Sequence, residues 1–386
     1  MLDNPLDAPV KLRTTETRPL ATPTIWIKQR MKVLFAVGSW GLGHATRDLP
    51  LINRLLESGC ELTVVSTDRA LSLLRKELGP RCEFFDWPDV PKPLARTAKL
   101  FYTKFALSVP LVFRTILSEH RTLQNLLRRR RFDRIISDNR FGIHSRRIDS
   151  YQIAHGLRAI APRRNRQLEL ALEYFCYSWL RPARRVIVPD YLHDGLSGDL
   201  SHNLTFFEPE RLEYIGILAS VRRRPVEPDV DLFVTISGPE PQRAILEEIV
   251  LGQVDALPGK VVVALGKPEE PLRTWQHDGA QVYSYLDRRQ QENLMNRSRL
   301  IVSRSGYTTL MELVELNRQA LLIPTPGQTE QEYLGWLHNS RGTYLSVTQQ
   351  RLDLRRDVER AGSFRGYEAP HLTDESVERF VRLISS

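Results

Sequence analysis

Short apolar runs that alternate with helical patterns are the feature that most limits how this chain can fold. The first half carries "KVLFAV", "ELTVVS", "CEFFDW", "DRIISD", "SYQIAH", "RRVIVPD" and "EYIGIL". Runs this short, with nearly continuous apolar character, are typical of strands that are covered on both faces. With helices between them, they predict an α/β fold built on a doubly wound parallel sheet.

A second series of runs begins after a stretch rich in proline and arginine. Segment 219–231, "ASVRRRPVEPDVD", predicts an interdomain linker, and "LFVTIS", "KVVVAL", "QVYSYL", "RLIVSR" and "ALLIPT" follow it. A chain of 386 residues exceeds what one core usually holds. We therefore expect two Rossmann-like domains, at 31–218 and 232–386, that face a central cleft. Residues 1–30, rich in proline, threonine and charge, predict a disordered or extended arm.

The glycine-rich loop "GSWGLGH" (38–44) follows the first predicted strand. Glycines permit a tight turn and let a ligand approach the backbone, and the next helix offers unpaired amides. The spacing differs from the dinucleotide fingerprint, so no nicotinamide cofactor is expected. His44, at the helix start, is a candidate general base, with a purely structural histidine as the alternative.

Two further strand ends place polar side chains at the same edge. Asp138 in "IISDNRFG" and His155 in "IAHGL" join His44 at one rim, where Asp138 would orient a catalytic histidine. The alternative for Asp138 is a helix cap. The acceptor-side candidates around this rim are Gly41, Gly43, Arg47, Asn139, Arg140 and His155.

The second half contains an anion-binding pattern. In "TISGPEPQR" (235–243), Arg243 falls in the first turn of a helix, where a cation is favoured only if it shares an anion such as diphosphate. In 303–335, Gly306 opens a helix, Ser305 or Thr308 would meet phosphate, and Glu312 would bind a ribose diol. The donor-side candidates are Gly238, Arg243, Arg304, Ser305, Gly306, Thr308, Glu312, Gln328, Glu330 and Gln331.

These motifs resemble those of the GT-B glycosyltransferases, most closely the MurG-like group related to glycosyltransferase family 28. "SRSGYTTLME" is similar to that group's donor motif, "PTPGQTEQEYLG" to its glutamine-rich loop and "GLGH" to its N-terminal glycine loop. A poorly characterised bacterial set shares "GLGHATR", "SDNR(F/Y)G", "SGPEPQR" and "PTPGQTEQEYL" even more closely. The resemblance covers about residues 31–340, and "SGPEPQR" departs from the second glycine-rich loop of the peptidoglycan enzyme.

The resemblance implies a UDP-sugar-dependent hexosyltransferase. Such an enzyme moves a hexose or N-acetylhexosamine to a hydroxyl of a lipid-linked or membrane-associated acceptor, with inversion and without a metal or other cofactor. His44 and Asp138 would be catalytic, and Gln328, Glu330 and Gln331 would bind the sugar. Two other functions stay open: a UDP-sugar 2-epimerase of the same fold, and a non-catalytic basic protein that binds membrane or nucleic acid.

Positive charge is concentrated in one stretch. Residues 99–147 hold twelve Lys or Arg against three Asp or Glu, which equals the +9 of the whole chain. An apolar stripe from Val109 to Leu127, followed by Arg128 to Arg131, predicts a helix with a basic end. It is either a solvated helix that packs on its own domain or a surface for an anionic partner such as a membrane.

Localisation follows from what the sequence lacks. It has three widely spaced cysteines, no signal peptide pattern and no apolar run near the roughly 18 residues that span a bilayer. We therefore expect a cytoplasmic protein with reduced thiols, peripheral on the inner membrane face if its acceptor is lipid-linked. No nucleic-acid-binding motif is present, so nucleic acid is not an expected partner.

Overall fold

The computed structural model describes residues 30–90 and 98–386, with the backbone alone between 98 and 108. The predicted N-terminal arm, 1–30, lies outside the described residues except for its last position. The described chain divides into two compact units. The first contains the residues up to 220 together with 370–386, and the second contains 221–369.

A seven-stranded parallel sheet forms the centre of the first unit, in the order β3-β2-β1-β4-β5-β6-β7. Its strands are β1 Lys32–Val37, β2 Glu61–Ser66, β3 Glu83–Asp86, β4 Arg134–Asp138, β5 Asp149–Ile153, β6 Arg185–Val188 and β7 Leu212–Tyr214. Five of the six residues of β1 are buried, as a strand covered on both faces requires. The order reverses at β1 and β4, so their carboxyl ends form the switch point where ligands of such sheets bind.

Four helices connect these strands. They are α1 Gly43–Glu57, α2 Asp68–Leu78, α3 Ala98–Arg129 and α4 Arg166–Leu180. The stripe on α3 is confirmed in part: Val112, Ile116 and Leu123 are buried, whereas Phe113, which has the same spacing, is 40% exposed. The helix begins well before Pro110, which therefore lies in its interior and not in a first turn. Among the described residues, no helix combines the length and apolar character needed to cross a bilayer.

The second unit is also built on a seven-stranded sheet, but its strand order differs from that of the first. Its sheet has the order β10-β11-β9-β8-β12-β13-β14, parallel except for β10 at one edge. The strands are β8 Val230–Thr235, β9 Val261–Ala264, β10 Thr274–His277, β11 Ala280–Tyr283, β12 Ser298–Ser303, β13 Gln319–Leu322 and β14 Leu345–Ser346. The helices are α5 Gln242–Leu251, α6 Arg288–Arg297, α7 Tyr307–Leu316, α8 Thr329–Ser340 and α9 Leu354–Ala361.

The last helix, α10 Thr373–Ser385, belongs to the first unit and not to the second. Phe380, Val381 and Ile384 are fully buried there. Arg54 on α1 pairs with Glu378 at 2.6 Å. The domain predicted at 232–386 therefore ends near 369, because α10 packs against α1 of the first unit. The linker residues from 221 onward group with the second unit.

Candidate functional site

The glycine-rich loop is held at the carboxyl edge of the first sheet. The Gly38 amide donates to the Asp138 carbonyl at 2.9 Å, and the Ser39 amide and hydroxyl both donate to Asp89. Gly41 turns the chain with a φ of +76°, a left-handed conformation that favours glycine. Helix α1 then starts at Gly43 without a side-chain cap, so its first amides face the loop.

Arg47 is the centre of a buried polar cluster at this edge. Its Nε donates to Asp138 Oδ2 at 3.0 Å, its Nη2 donates to Asp138 Oδ1, and its Nη1 lies 2.7 Å from His155 Nδ1. Arg47 is 1% exposed and Asp138 is fully buried. The cluster joins α1 to the ends of β4 and β5, so His44, Arg47, Asp138 and His155 come together as expected for one rim.

His44 forms a hydrogen bond with Asp138 through Nδ1, at 2.9 Å from Oδ2. Burial alone would raise the pKa of Asp138, but the Arg47 guanidinium and then His44 outweigh it and hold that pKa well below its usual range. Asp138 is therefore ionised and accepts the Nδ1 hydrogen of His44. This leaves the lone pair of the neutral ring on Nε2, the arrangement that a general base requires.

Asp48 is a member of the cluster that the sequence analysis missed. Its side chain is fully buried, its Oδ1 lies 4.0 Å from Arg47 Nε, and neither oxygen has a hydrogen-bond partner among the described residues. Burial and then the charge of Asp138 raise its pKa well above the ordinary value. A charged Arg-Asp pair inside an otherwise apolar helical segment was the available signal.

Two other residues predicted for the acceptor side, Asn139 and Arg140, directly follow Asp138 in the chain. Arg140 is fully buried, with Nε 2.6 Å from Glu119 Oε1 and Nη2 on the carbonyls of Trp87 and Pro88. Its guanidinium ties α3 to the segment after β3, and the predicted contact of Arg140 with an acceptor stays a prediction. Asn139 is half-buried in a left-handed turn, with a φ of +55°.

In the second unit, Arg304 joins three loops at the carboxyl edge of the sheet. Its guanidinium is 2% exposed and donates to the carbonyls of Ser237, Gln242, Ile323 and Pro324. Those carbonyls follow β8 and β13, while Arg304 itself follows β12. Burial lowers the pKa of Arg304 to about 10, which still leaves it positively charged at neutral pH.

The loops that Arg304 joins also contact one another. Gly238 has a φ of +116°, and a Cβ there would lie 3.5 Å from Thr325 Oγ1 and 3.7 Å from Arg304 Nε. The Thr325 hydroxyl is buried and has no hydrogen-bond partner in the described chain. It was not predicted, although its position between the two prolines of "PTPG" marked a constrained loop.

Ser305 and Gln331 have structural partners. The buried Ser305 hydroxyl donates to the Gln331 carbonyl at 2.8 Å, so it is used to tie α7 to α8 and is not presented to a phosphate. The Gln331 side chain accepts from the Thr325 amide and donates to Gln328. These polar atoms of Ser305 and Gln331 hold the loop together, and the predicted contacts of the two residues with a ligand stay a prediction.

Arg243 also has partners within the protein. It is 9% exposed, forms ion pairs with Glu240 and with Glu247, the latter at 3.1 Å, and donates to the Leu265 carbonyl. The cation in the first turn of α5 is therefore balanced by carboxylates, and the argument that it needs a diphosphate no longer holds.

The other donor-side candidates follow β12 and β13 in the chain, and their contacts with a donor stay a prediction. Gly306 precedes α7 as its N-cap, Thr308 and Glu312 are half-buried on that helix, Gln328 is exposed and Glu330 is half-buried.

Asp229 and Asp231 form an Asp-X-Asp pattern that the sequence analysis passed over. It lies at the start of β8, at the opposite edge, where Asp229 pairs with Arg297 and Asp231 with Arg299.

Comparison with known proteins agrees with this architecture. Residues 241–335 match the model of the glycosyltransferase family 28 C-terminal domain. The glycotransferase of kitacinnamycin superposes with a TM-score of 0.61 at 15% identity, covering 93% of this chain and 97% of that one. The chain has the GT-B fold.

Two further glycosyltransferase structures are similar. CalG4, the calicheamicin glycosyltransferase, gives a TM-score of 0.61 at 16% identity over 92% of this chain and 93% of its own. MurG of Acinetobacter baumannii gives 0.53 at 15% identity over 91% and 99%. A search of curated proteins by sequence finds no match. The predicted resemblance to GT-B glycosyltransferases is confirmed.

The raised pKa of Asp48 predicts that this residue lowers the free energy of unfolding as the pH rises. A carboxyl whose pKa is higher in the folded state stabilises the fold fully below its unfolded pKa, and that stabilisation is lost as the pH rises through its folded pKa. We expect Asp48→Asn to become more stable relative to wild type as the pH rises above about 4. Urea denaturation of both proteins from pH 4 to 9 measures this.

Asp190 provides the matched control, because it is also fully buried in the first unit but has a lowered pKa. Burial would raise that pKa, and hydrogen bonds from His202 and Ser197 outweigh it. Asp190→Asn should lose stability relative to wild type above pH 4. A constant difference between Asp48→Asn and wild type across the range would show that Asp48 is ionised in the folded protein.

Proposed function

We propose that the protein is an inverting, metal-independent glycosyltransferase. It transfers a hexose or N-acetylhexosamine from a UDP-sugar to a hydroxyl group of a membrane-associated acceptor. The observation that carries the proposal is the hydrogen bond of His44 Nδ1 to the buried Asp138, at the carboxyl edge of the first sheet. The family 28 match over 241–335 supports a nucleotide-sugar donor for the second unit.

In the proposed reaction, His44 Nε2 takes the proton of the acceptor hydroxyl. The oxygen attacks the anomeric carbon, the bond from that carbon to the diphosphate breaks, and UDP leaves with the electron pair. Asp138 stabilises the imidazolium that forms, as the carboxylate of a catalytic triad does. Attack from the face opposite the leaving group inverts the anomeric centre.

The second unit supplies fixed positive charge for the leaving group. Arg304 is a buried cation whose described partners are carbonyl oxygens, and it directly precedes the N-terminus of α7. Preorganised charge and helix amides stabilise a developing diphosphate without a metal ion. Glu312 on α7 is assigned to the ribose diol, and Gln328 and Glu330 to the sugar.

UGT89C1 of Arabidopsis thaliana, another GT-B structure at TM-score 0.54, was solved with UDP-L-rhamnose.

The membrane part of the proposal rests on the exposed face of α3. Leu111, Phe113 and Leu117 are 50%, 40% and 47% exposed, and Arg114 and Arg121 are exposed beside them. Arg128 to Arg131 at the helix end are exposed as well. Apolar side chains flanked by arginines are typical of helices that lie on an anionic bilayer.

Glu312→Ala should weaken the binding of UDP about 10- to 100-fold, since a hydrogen bond to a charged group contributes about 1.5–3 kcal/mol. Isothermal calorimetry with UDP measures the change. Glu359→Ala, an exposed carboxylate on α9, is the control and should bind UDP as wild type does. Equal affinity of Glu312→Ala and wild type would remove Glu312 from the donor site.

His44→Ala should lower turnover about 10²- to 10⁴-fold, the usual contribution of general-base catalysis, with UDP affinity unchanged. The assay is release of UDP in the presence of acceptor, after a screen of nucleotide sugars by thermal shift. His202→Ala is the matched control, because His202 also pairs with a buried aspartate of the same unit, Asp190, at 3.1 Å. Activity above a tenth of wild type in His44→Ala would assign the proton to another group.

An epimerised sugar formed from UDP-sugar alone would favour the epimerase.

Changing Arg128 to Arg131 to glutamine should abolish binding to anionic vesicles. Each arginine near an anionic surface contributes about 1 kcal/mol. We expect wild type to sediment with phosphatidylglycerol vesicles at low salt and to be released at about 1 M salt, where the Debye length is about 3 Å. The control changes Arg222, Arg223 and Arg224 to glutamine. Equal binding of wild type to neutral and anionic vesicles, or to neither, would contradict the membrane proposal.

A further inference from the structure

Arg47 lies between two imidazole rings and contacts both. Its Nη1 is 2.7 Å from His155 Nδ1, and its Nη2 is 3.0 Å from His44 Nδ1. The ring centroids of the two histidines are 6.3 Å apart. Because a guanidinium has only hydrogen-bond donors, these contacts constrain which nitrogen of each neutral ring carries the hydrogen.

For His155 the assignment is direct. Arg47 donates through Nη1, so His155 Nδ1 must accept with its lone pair. The hydrogen of the neutral ring is then on Nε2. In this state His155 Nε2 can donate a hydrogen bond and cannot remove a proton.

For His44, the carboxylate of Asp138 determines which ring nitrogen carries the hydrogen. Asp138 Oδ2 lies 2.9 Å from His44 Nδ1, and an ionised carboxylate can only accept. His44 Nδ1 therefore carries the hydrogen, and the Nη2 of Arg47 donates to Asp138 Oδ1 instead of to the ring. The lone pair of His44 is on Nε2.

We propose that Arg47 and Asp138 together hold His44 and His155 in opposite tautomers, one a proton acceptor and the other a hydrogen-bond donor. For the substrate, the inference rests on the proposed transferase function. The acceptor must offer a hydroxyl to His44 and a second oxygen that accepts a hydrogen bond from His155. Polyhydroxylated acceptors, such as sugars and polyols, have this pair of groups, whereas an isolated alcohol does not.

Long-range ¹H–¹⁵N correlation spectra of the histidine-labelled protein at about pH 8.5 test the tautomers without any activity. Two other histidines are internal references, because each faces a carbonyl that can only accept. His120 Nδ1 faces Gly142 and must carry hydrogen there, and His371 Nε2 faces Ile215 and must carry it there. We expect His44 to show the same pattern as His120, with hydrogen on Nδ1. We expect His155 to show the same pattern as His371, with hydrogen on Nε2. The signals are assigned with His44→Gln and His155→Gln. The same tautomer in both, or the reverse pair, would overturn the proposal.

Asp138→Asn tests the cause of the His44 tautomer. The new amide donates to Nδ1, so His44 should change to the Nε2–H form while His155 keeps its own. Asp190→Asn, next to His202, is the matched control and should leave both rings unchanged. If His44 remains in the Nδ1–H form in Asp138→Asn, Asp138 does not set its tautomer.

The substrate part has its own test. His155→Leu should raise KM for a polyol acceptor about 10-fold, the effect of one lost hydrogen bond between neutral groups. His155→Gln, which keeps a donor, should recover most of this, and UDP affinity should not change in either variant. Opposite tautomers with an unchanged KM in His155→Leu would refute the role in acceptor binding. Opposite tautomers in a protein that transfers no sugar would refute the transferase proposal and leave the tautomer assignment intact.

Discussion

The first unit's candidate site depends on the ion pair between Arg47 and Asp138. Both side chains are almost completely removed from solvent, so each charge would be strongly destabilised without the other. For the second acid, Asp48, burial and then the charge of Asp138 outweigh the effect of Arg47 and raise its pKa, which favours its neutral form. The same pair determines which nitrogen of His44 is protonated. The ion pair that stabilises this edge of the sheet is therefore the same one that sets the tautomer of His44.

The second unit uses a buried arginine at its own carboxyl edge in a different way. Arg304 joins the loops after β8, β12 and β13, but the partners that the described residues give it are neutral carbonyls. Its positive charge is therefore not cancelled locally, whereas that of Arg47 is. One edge is suited to moving a proton, and the other to attracting an anion. This division fits the acceptor side and the donor side of the proposed reaction.

Much of the fold could be predicted from the sequence, because buried parallel strands are continuous apolar runs and the helices between them show amphipathic spacing. The elements that were missed have weak local signals. Strand β10 contains "TWQH", mostly exposed, and β14 has only two residues. The return of α10 to the first unit is a long-range packing event that no local pattern indicates.

The candidate site was only partly predictable for a similar reason. Position after a strand identified His44, Asp138 and His155, since parallel strands end at one edge. It could not distinguish a side chain that faces a ligand from one that holds loops together. Arg140, Arg243, Ser305 and Gln331 were all chosen by position, and all have structural partners. Asp48 was missed because its importance comes from burial, which sequence spacing does not reveal.

The placement of α10 has a consequence for how the chain is made. The first unit contains both the early part of the chain and its last residues, with the whole second unit between them. On a ribosome, the first unit would therefore stay incomplete while 221–369 are synthesised. The surface that receives Phe380, Val381 and Ile384 would be exposed throughout that time. Domains usually fold in order from the N-terminus, but here the first unit can be completed only after the second has been synthesised.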